Sequence, residues 1–331
     1  MSAHVLPVHP DLDQLRRQAK ELKRAADHGD PEALARIRTV SDEVSLAGAQ
    51  LALAREYGFP SWRRLNAEAQ RLAAIADGDV DALSELVRAD PALAAAPVRA
   101  SFTAEPVHPL DYIGMGRLHG AWHHDRAGEL SRVLVAGSSP EAAALITAAS
   151  HGEPLMVRTL IESGADLEAT GPAAPGSGTA LAHAVHYGIV EAVDLLVAAG
   201  AIVHDLVEAA GAGDIGEFLP APAEERVLAL RAAAVCERLD VIDALLETGI
   251  DVNSEFTTLT EPHAGTALHR AAHEGKAHSV RHLLEHGADQ DLPIAGMTAL
   301  QWCRTRHAEL GEGWGHNQVE AILAGHKSQH G

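Results

Sequence analysis

The chain has 331 residues, enough for two ordinary domains or one array of repeats, and 47% of them are apolar although only 3% are aromatic. This composition favours closely packed helices rich in alanine and leucine over a β core of branched and aromatic side chains. The formal net charge of −20 disfavours binding to nucleic-acid phosphates and to anionic membranes. A solvated acidic surface is the simpler interpretation of that charge, and a DNA mimic with carboxylates along one face is the alternative.

The chain shows no sign of export or of membrane insertion. Its first residues lack a basic region followed by an apolar run, and no apolar run approaches the roughly 18 residues that span a bilayer. Only Cys236 and Cys303 are present, too few for a disulfide framework, which indicates a reducing compartment. We therefore expect a cytoplasmic protein.

Four helices are predicted before the repeats, within residues 1–71. Asp11 can cap the first, Asp30 and Pro31 begin the second, and the third runs from about Ser45 to a break at Gly58. Ser61 can cap the fourth, which begins at Trp62.

A two-helix unit recurs from about Leu72 onward, and its clearest copy lies at residues 265–289. There Gly-Thr-Ala-Leu-His-Arg-Ala-Ala-His-Glu-Gly is followed by a second helical pattern and by Gly287-Ala-Asp289. Glycines of the same turn occur at positions 164, 200, 249 and 287, and only the interval from 200 to 249 is much longer than the others. This copy resembles an ankyrin repeat, whose period is about 33 residues.

The resemblance implies an all-α ankyrin-repeat solenoid of seven to eight helix-turn-helix units with an N-terminal helical cap. The fifth unit, around Gly211, is compressed, and its outer helix is cut short before Pro220 and Pro222. Residues 49–62 (Ala-Gln-Leu-Ala-Leu-Ala-Arg-Glu-Tyr-Gly-Phe-Pro-Ser-Trp) look like the helical module that precedes the repeats in a group of bacterial ankyrin proteins. The expected division is a capping module at 1–71, the array at 72–325 and a disordered tail at 326–331.

Ankyrin proteins usually meet a partner through a concave groove of inner helices and turns, so side chains of that register are candidates. His186 and His273 occupy one register, five residues after Leu181 and Leu268. Three repeat intervals separate them, and helices that pack 8–10 Å apart would place their backbones about 25–30 Å from each other. They are therefore not expected to share chemistry. The histidine of the Thr-x-Leu-His motif, His269, is expected to be scaffold.

The sequence departs from the repeat pattern in two places. Residues 118–126 lengthen the connection between the helices of the second repeat, which is a functional hint. If that stretch were helical, His119 and His123 would share a face and Asp125 could orient an imidazole. The compressed fifth repeat would bring the fourth and sixth repeats closer and gather His186, Tyr187, His204 and Asp205. The candidate contact residues are Tyr112, His119, Trp122, His123, His124, Asp125, His151, His186, Tyr187, His204, Asp205, His273 and Trp302.

The leading hypothesis is a non-catalytic scaffold that presents a rigid groove to a protein partner of basic or mixed charge. The alternative is a small-molecule-binding or enzymatic protein that uses a His/Asp/Tyr-lined pocket for acid–base chemistry. We find no motif for a cofactor or a metal ion in the sequence. Breaker-rich residues 171–178 and a long turn at 253–265, with Glu255, Glu261 and His263, are further possible contact regions.

Overall fold

The computed structural model describes residues 4–99, 101–103, 105–136, 142–171, 177–219, 221–256, 265–310 and 315–330, with backbone only at 142 and 326–330. The chain divides into two compact units, residues 1–140 and 141–331. Over the described residues the regular structure is helical throughout, and β pairing is limited to three isolated bridges. The predicted all-α class is confirmed. Residues 172–176, Glu261 and His263 lie outside the described part.

The described part of the first unit contains seven α-helices. They are α1 (Leu12–Asp27), α2 (Pro31–Arg38), α3 (Leu46–Glu56), α4 (Trp62–Asp77), α5 (Val80–Ala89), α6 (Pro109–Gly116) and α7 (Ala127–Val135). The predicted caps form: Asp11, Asp30 and Ser61 each accept hydrogen bonds from backbone N–H groups of the first turn that follows.

Helix α4 is continuous across the expected boundary at residues 71 and 72. Arg71 is fully buried on it, donates to Glu68 at 2.5 Å and reaches the carbonyls of Leu93 and Ala96 at 2.5 and 2.8 Å. The two terminal nitrogens of this buried guanidinium are engaged, and their bonds fix the segment after α5 against α4. The division into capping module and array stays a prediction.

The second unit contains eleven α-helices among its described residues. They are α8 (Ala142–Ser150), α9 (Pro154–Glu162), α10 (Ala180–His186), α11 (Val190–Ala198), α12 (Leu206–Ala212), α13 (Ala223–Val235), α14 (Leu239–Glu247), α15 (Ala267–His273), α16 (Ala277–Glu285), α17 (Ala299–Leu310) and α18 (His316–His330). They follow one another as inner and outer helices of successive repeats, except in the fifth. There α12 is followed only by a 3-10 turn at Gly216–Phe218. Helix α18 continues to His330, where a disordered tail was expected from residue 326.

The shortened fifth repeat brings its neighbours into close contact. A Cβ atom on Gly211 of α12 would lie 2.5 Å from a methyl group of Val185 on α10. A Cβ on Gly188, just after α10, would lie 2.5 Å from the carbonyl oxygen of Val235 at the end of α13. Helix α13 therefore packs beside both α10 and α12, and the predicted approach of the fourth and sixth repeats is present.

We predict that Gly211→Ala destabilises the protein by about 2 kcal/mol, because overpacking against Val185 outweighs the gain in helix propensity of about 1 kcal/mol. Gly325 in α18 is the matched control, since nothing lies within 4 Å of its added Cβ. Gly325→Ala should leave the free energy of unfolding unchanged or raise it slightly. Urea unfolding measures both variants, and a Gly211→Ala protein as stable as the control would contradict the close approach.

Candidate functional site

The lengthened connection of the second repeat, residues 117–126, is not helical between α6 and α7. The expected i, i+4 pairing of His119 with His123 on a helix face is therefore absent. His119, His123 and Asp125 are exposed.

Trp122 and His124 of this connection pack inward. Trp122 is 3% exposed, and its ring lies so close to Gly116 that a Cβ there would overlap it. His124 stacks on Trp122 with ring centroids 5.8 Å apart, and its Nε2 lies 2.7 Å from the carbonyl oxygen of Ile75. Its Nδ1 accepts from the backbone N–H of Arg126 at 3.2 Å, so Nε2 donates to Ile75. These contacts give both side chains a packing role.

Tyr112 is also interior. It is fully buried, stacks on Phe102 with centroids 4.8 Å apart, and meets the edge of Trp122 at 5.3 Å. Burial raises the pKa of its phenol far above the ordinary value, and among the described residues its hydroxyl has no hydrogen-bond partner. Tyr112 and Trp122, expected to be contact residues, belong instead to one aromatic cluster inside the first unit.

The candidates of the second unit lie at the ends of the inner helices. His151, after α8, has its Nδ1 2.9 Å from the carbonyl oxygen of Thr147. Tyr187, after α10, is exposed, and its ring meets His186 edge-on at 4.8 Å. Between them lies His183, whose pKa is lowered by burial and by the nearby His151.

A cavity of about 200 Å³ opens among α10, α12, α13 and α15. It lies beside the compressed repeat. Of the four residues expected to gather there, His186 and Asp205 are in its lining, whereas Tyr187 and His204 are not. Its apolar wall consists of Ala182, Val185, Val207, Leu228, Ala232 and Val235. Its remaining polar lining consists of Glu208, Arg231 and Arg270.

The acidic side of the cavity is held by α12. Asp205 caps this helix by accepting from the N–H of Glu208 at 2.8 Å. The Glu208 side chain is 2% exposed, and its carboxylate accepts from the Ser177 hydroxyl at 2.7 Å and from the backbone N–H of His204 at 2.7 Å. The His204 ring lies between two carboxylates: its Nδ1 is 3.1 Å from that of Glu208, and its Nε2 is 3.4 Å from that of Glu168. The carboxylate of Glu208 is therefore fixed in place and does not need a ligand to compensate it.

The basic side of the cavity is held by α13 and α15. Arg231 is 6% exposed, and its guanidinium carbon lies 5.2 Å from the centre of the Phe256 ring, a cation–π geometry. Arg270 is 3% exposed, donates to Glu274 at 3.1 Å and donates to the carbonyl oxygen of His186 at 2.9 Å. Both guanidinium groups are thus positioned before any ligand arrives.

The bond from Arg270 to His186 overturns the expectation that three full repeat intervals separate His186 from His273. Arg270 and His273 are three residues apart on α15, and the side chain of Arg270 reaches the last residue of α10. Lys276 makes a second such contact, from its ammonium to the carbonyl oxygen of Gly188 at 2.7 Å. Equal spacing of the repeats was the wrong assumption, because the fifth repeat lacks an outer helix to hold the fourth and seventh apart.

His273 lies one turn after Arg270 on α15 and contacts Trp302 of α17. The Nδ1 of His273 lies 3.0 Å from the carboxylate of Glu274, and the ring meets Trp302 at 5.9 Å. Trp302 is buried and also packs on His269, which lies 2.9 Å from the Thr266 hydroxyl as expected for a scaffold histidine. Trp302 therefore packs against α15, the helix that carries Arg270.

Three lining residues, Glu208, Arg231 and Arg270, were missed by sequence reasoning. Each is a charged residue inside an alanine- and leucine-rich inner helix, where the repeat pattern favours small apolar side chains. That signal was available in the sequence. A charge at a packing position needs a buried partner or a site, and both explanations direct attention to these helices.

The family is shown by comparison with known proteins. A family profile described as ankyrin repeats (3 copies) matches residues 145–256 and 230–312, which together extend over just over half of the chain. The chain therefore belongs to the ankyrin-repeat family, a class whose members generally serve as protein-interaction modules. No curated protein matches the chain.

We predict that the connection at 117–126 is a packing element with an exposed rim. Trp122→Ala should lower the free energy of unfolding by about 3–5 kcal/mol through loss of buried contacts, whereas His123→Ala should change it by less than about 0.5 kcal/mol. Thermal and urea unfolding report both values. A neutral Trp122→Ala variant would contradict the packing role.

Lowering the pH should reduce the free energy of unfolding through protonation of Glu274, the partner of Arg270 in the cavity lining. Burial alone raises the pKa of this carboxyl, but the hydrogen bond from His273 and the charge of Arg270 lower it to about 2, from an ordinary 4.5. A depressed folded-state pKa contributes stability that is complete above the unfolded pKa and is lost as the pH falls from about 5 to about 2, here roughly 3 kcal/mol. The stability difference between wild type and Glu274→Gln should shrink over that range. The Glu191→Gln variant, which makes the same change at an exposed position, is the control.

Proposed function

We propose that the protein is a non-catalytic binding scaffold that meets a protein partner through the inner helices around the cavity. The observation that supports this most is the cavity itself, whose charged lining is already held by internal bonds. A site that is formed before binding costs little conformational entropy when a partner docks. The side chains at its edge, His186 and Asp205, are those that a partner would contact first.

The size of the cavity favours an anchor for one side chain of the partner. Its volume of about 200 Å³ is below the roughly 300–1,000 Å³ that is typical of small-molecule sites. Interfaces commonly place one or two anchoring side chains in such depressions and surround them with weaker contacts. The formal net charge of −20 favours a partner of basic or mixed charge.

The second candidate is a small-molecule or acid–base site in the same cavity. His186 beside Asp205 favours it, because an imidazole and a carboxylate line one space. Against it, the caps and ion pairs of Asp205, Glu208 and Arg270 already engage these groups. We therefore rank binding above catalysis.

We assign residues 1–71, with their resemblance to a bacterial N-terminal module, the role of covering the end of the array. Cytoplasmic placement fits two cysteines, Cys236 and Cys303, that are free and buried. No helix in the described part of the chain has both the length and the apolar character to cross a membrane.

A cavity-filling variant tests the proposal. Ala232 lines the cavity on α13, and Ala232→Leu would occupy it with a side chain that is compatible with a helix. Ala198→Leu, on the exposed face of the outer helix α11, is the matched control. Proteins captured from the source lysate by wild type should be retained by Ala198→Leu and reduced at least tenfold by Ala232→Leu.

A thermal-shift screen of metabolites on the same three proteins separates the two candidates. Specific capture that is sensitive to Ala232→Leu supports the scaffold. The scaffold proposal would be overturned in favour of a small-molecule site by two results together. All three proteins would capture the same partners equally, and a metabolite would raise the Tm of wild type but not that of Ala232→Leu.

A further inference from the structure

A cluster of three potential metal ligands lies on the outer helices, on elements other than those that line the cavity. His282 and His286 are one turn apart on α16, and Asp243 faces them from α14 of the preceding repeat. One potential ligand atom from each of the three side chains lies within 4.8 Å of the other two. Among the described residues, no other group of three His, Cys, Asp or Glu side chains converges in this way. No metal site is predicted from the sequence.

The two imidazoles converge on a single carboxylate oxygen. The Nε2 of His282 lies 2.6 Å from Oδ1 of Asp243, and the Nε2 of His286 lies 3.2 Å from the same atom. Helical spacing of four residues places both rings on one face, with centroids 4.5 Å apart. Two histidines at i, i+4 are the arrangement that holds zinc on a helix when a third ligand is available.

The second nitrogen of His286 already has the partner that a metal-binding imidazole needs. Its Nδ1 lies 2.9 Å from the carbonyl oxygen of His282, which can only accept, so Nδ1 carries the proton. In the neutral ring this leaves the lone pair on Nε2, the atom that faces Asp243. Ligating histidines usually donate their other N–H to such a carbonyl, which fixes the tautomer and the orientation of the ring.

The distances suit an ion after a small adjustment. Bonds of about 2.0–2.1 Å in a tetrahedral site place neighbouring ligand atoms about 3.3 Å apart. The Nε2 of His286 and the Oδ1 of Asp243, 3.2 Å apart, are already at this separation. The Nε2 of His282 lies 2.6 Å from the same oxygen, and this distance must increase by less than 1 Å. The side chains of Asp243 and His286 are 44% and 38% exposed, so they have room to move and an ion can enter from solvent.

We propose that Asp243, His282 and His286 bind one divalent transition-metal ion of the zinc type, with solvent completing the coordination. Imidazole ligands favour such ions over magnesium and calcium, which prefer all-oxygen sites. Because the ligands come from α14 and α16, the bound ion would join the outer helices of the sixth and seventh repeats. Binding to the folded chain alone would therefore stabilise this part of the array.

A neighbouring pair on the same helix provides the matched control. His278 of α16 meets Glu237 with its Nδ1 at 3.1 Å from the carboxylate, which supplies two potential ligands where three are needed. Removing His278 therefore deletes a histidine and its contact with Glu237 from α16 without touching the proposed site.

The test titrates Zn²⁺ and Co²⁺ into the full chain after treatment with a chelator. We expect one saturable Zn²⁺ site by calorimetry, a rise in Tm and visible Co²⁺ absorption that reports nitrogen ligation. His286→Gln and Asp243→Asn should each weaken Zn²⁺ binding at least tenfold and remove most of the rise in Tm, whereas His278→Gln should retain both. Mg²⁺ should produce neither effect. The Tm of each variant without metal shows whether it is folded.

Two results would overturn the proposal. One is wild-type protein that shows no saturable Zn²⁺ site. The other is a folded His286→Gln variant that binds Zn²⁺ as tightly as His278→Gln, which would assign the binding to scattered surface histidines.

Discussion

The close approach of α10 to α12 and α13 is the constraint on which the inner face of the second unit depends. It requires glycine at two points, because a side chain on Gly211 would overlap Val185 and one on Gly188 would overlap the backbone at Val235. The approach is possible because the fifth repeat has a 3-10 turn in place of an outer helix. As a result Arg270 and Lys276 of the seventh repeat reach the backbone at the end of α10.

The buried charges around the cavity are explained by the same arrangement. An unpaired guanidinium or carboxylate inside an alanine-rich array would cost several kcal/mol of stability. Arg270 avoids that cost through Glu274 and the His186 carbonyl, and Glu208 avoids it through Ser177 and His204. Two of these bonds, Ser177 to Glu208 and Arg270 to His186, join residues from different repeats, so they also fix the register in which the repeats pack. The charged side chains of the lining are already engaged beside an apolar wall, which suits recognition better than proton transfer.

Short-range sequence patterns predicted much of the local structure, although helix α18 continues through the expected tail. The glycine turns, the helix caps and the compressed fifth unit all follow from short-range rules, and His269 bonds to Thr266 as the motif requires. The distance between His186 and His273 could not be predicted, because it depends on how far a missing outer helix lets its neighbours move. The inward rotation of Trp122 and His124 likewise depends on space beside Gly116 and Ile75. The contact between Asp243 and His282 could not be predicted for a similar reason. The spacing of His282 and His286 is visible in the sequence, but their shared partner lies in the preceding repeat.

A spin-label distance between residues 187 and 278 tests the compressed arrangement most directly. Both positions are exposed, so Tyr187→Cys and His278→Cys can be labelled. The native thiols of Cys236 and Cys303 should stay unlabelled, since burial raises the pKa of each to about 12. We expect a distance distribution centred below about 20 Å, because Lys276 bonds directly to the backbone at Gly188. A distribution centred at about 25–30 Å, the span of three regular repeat intervals, would contradict the account.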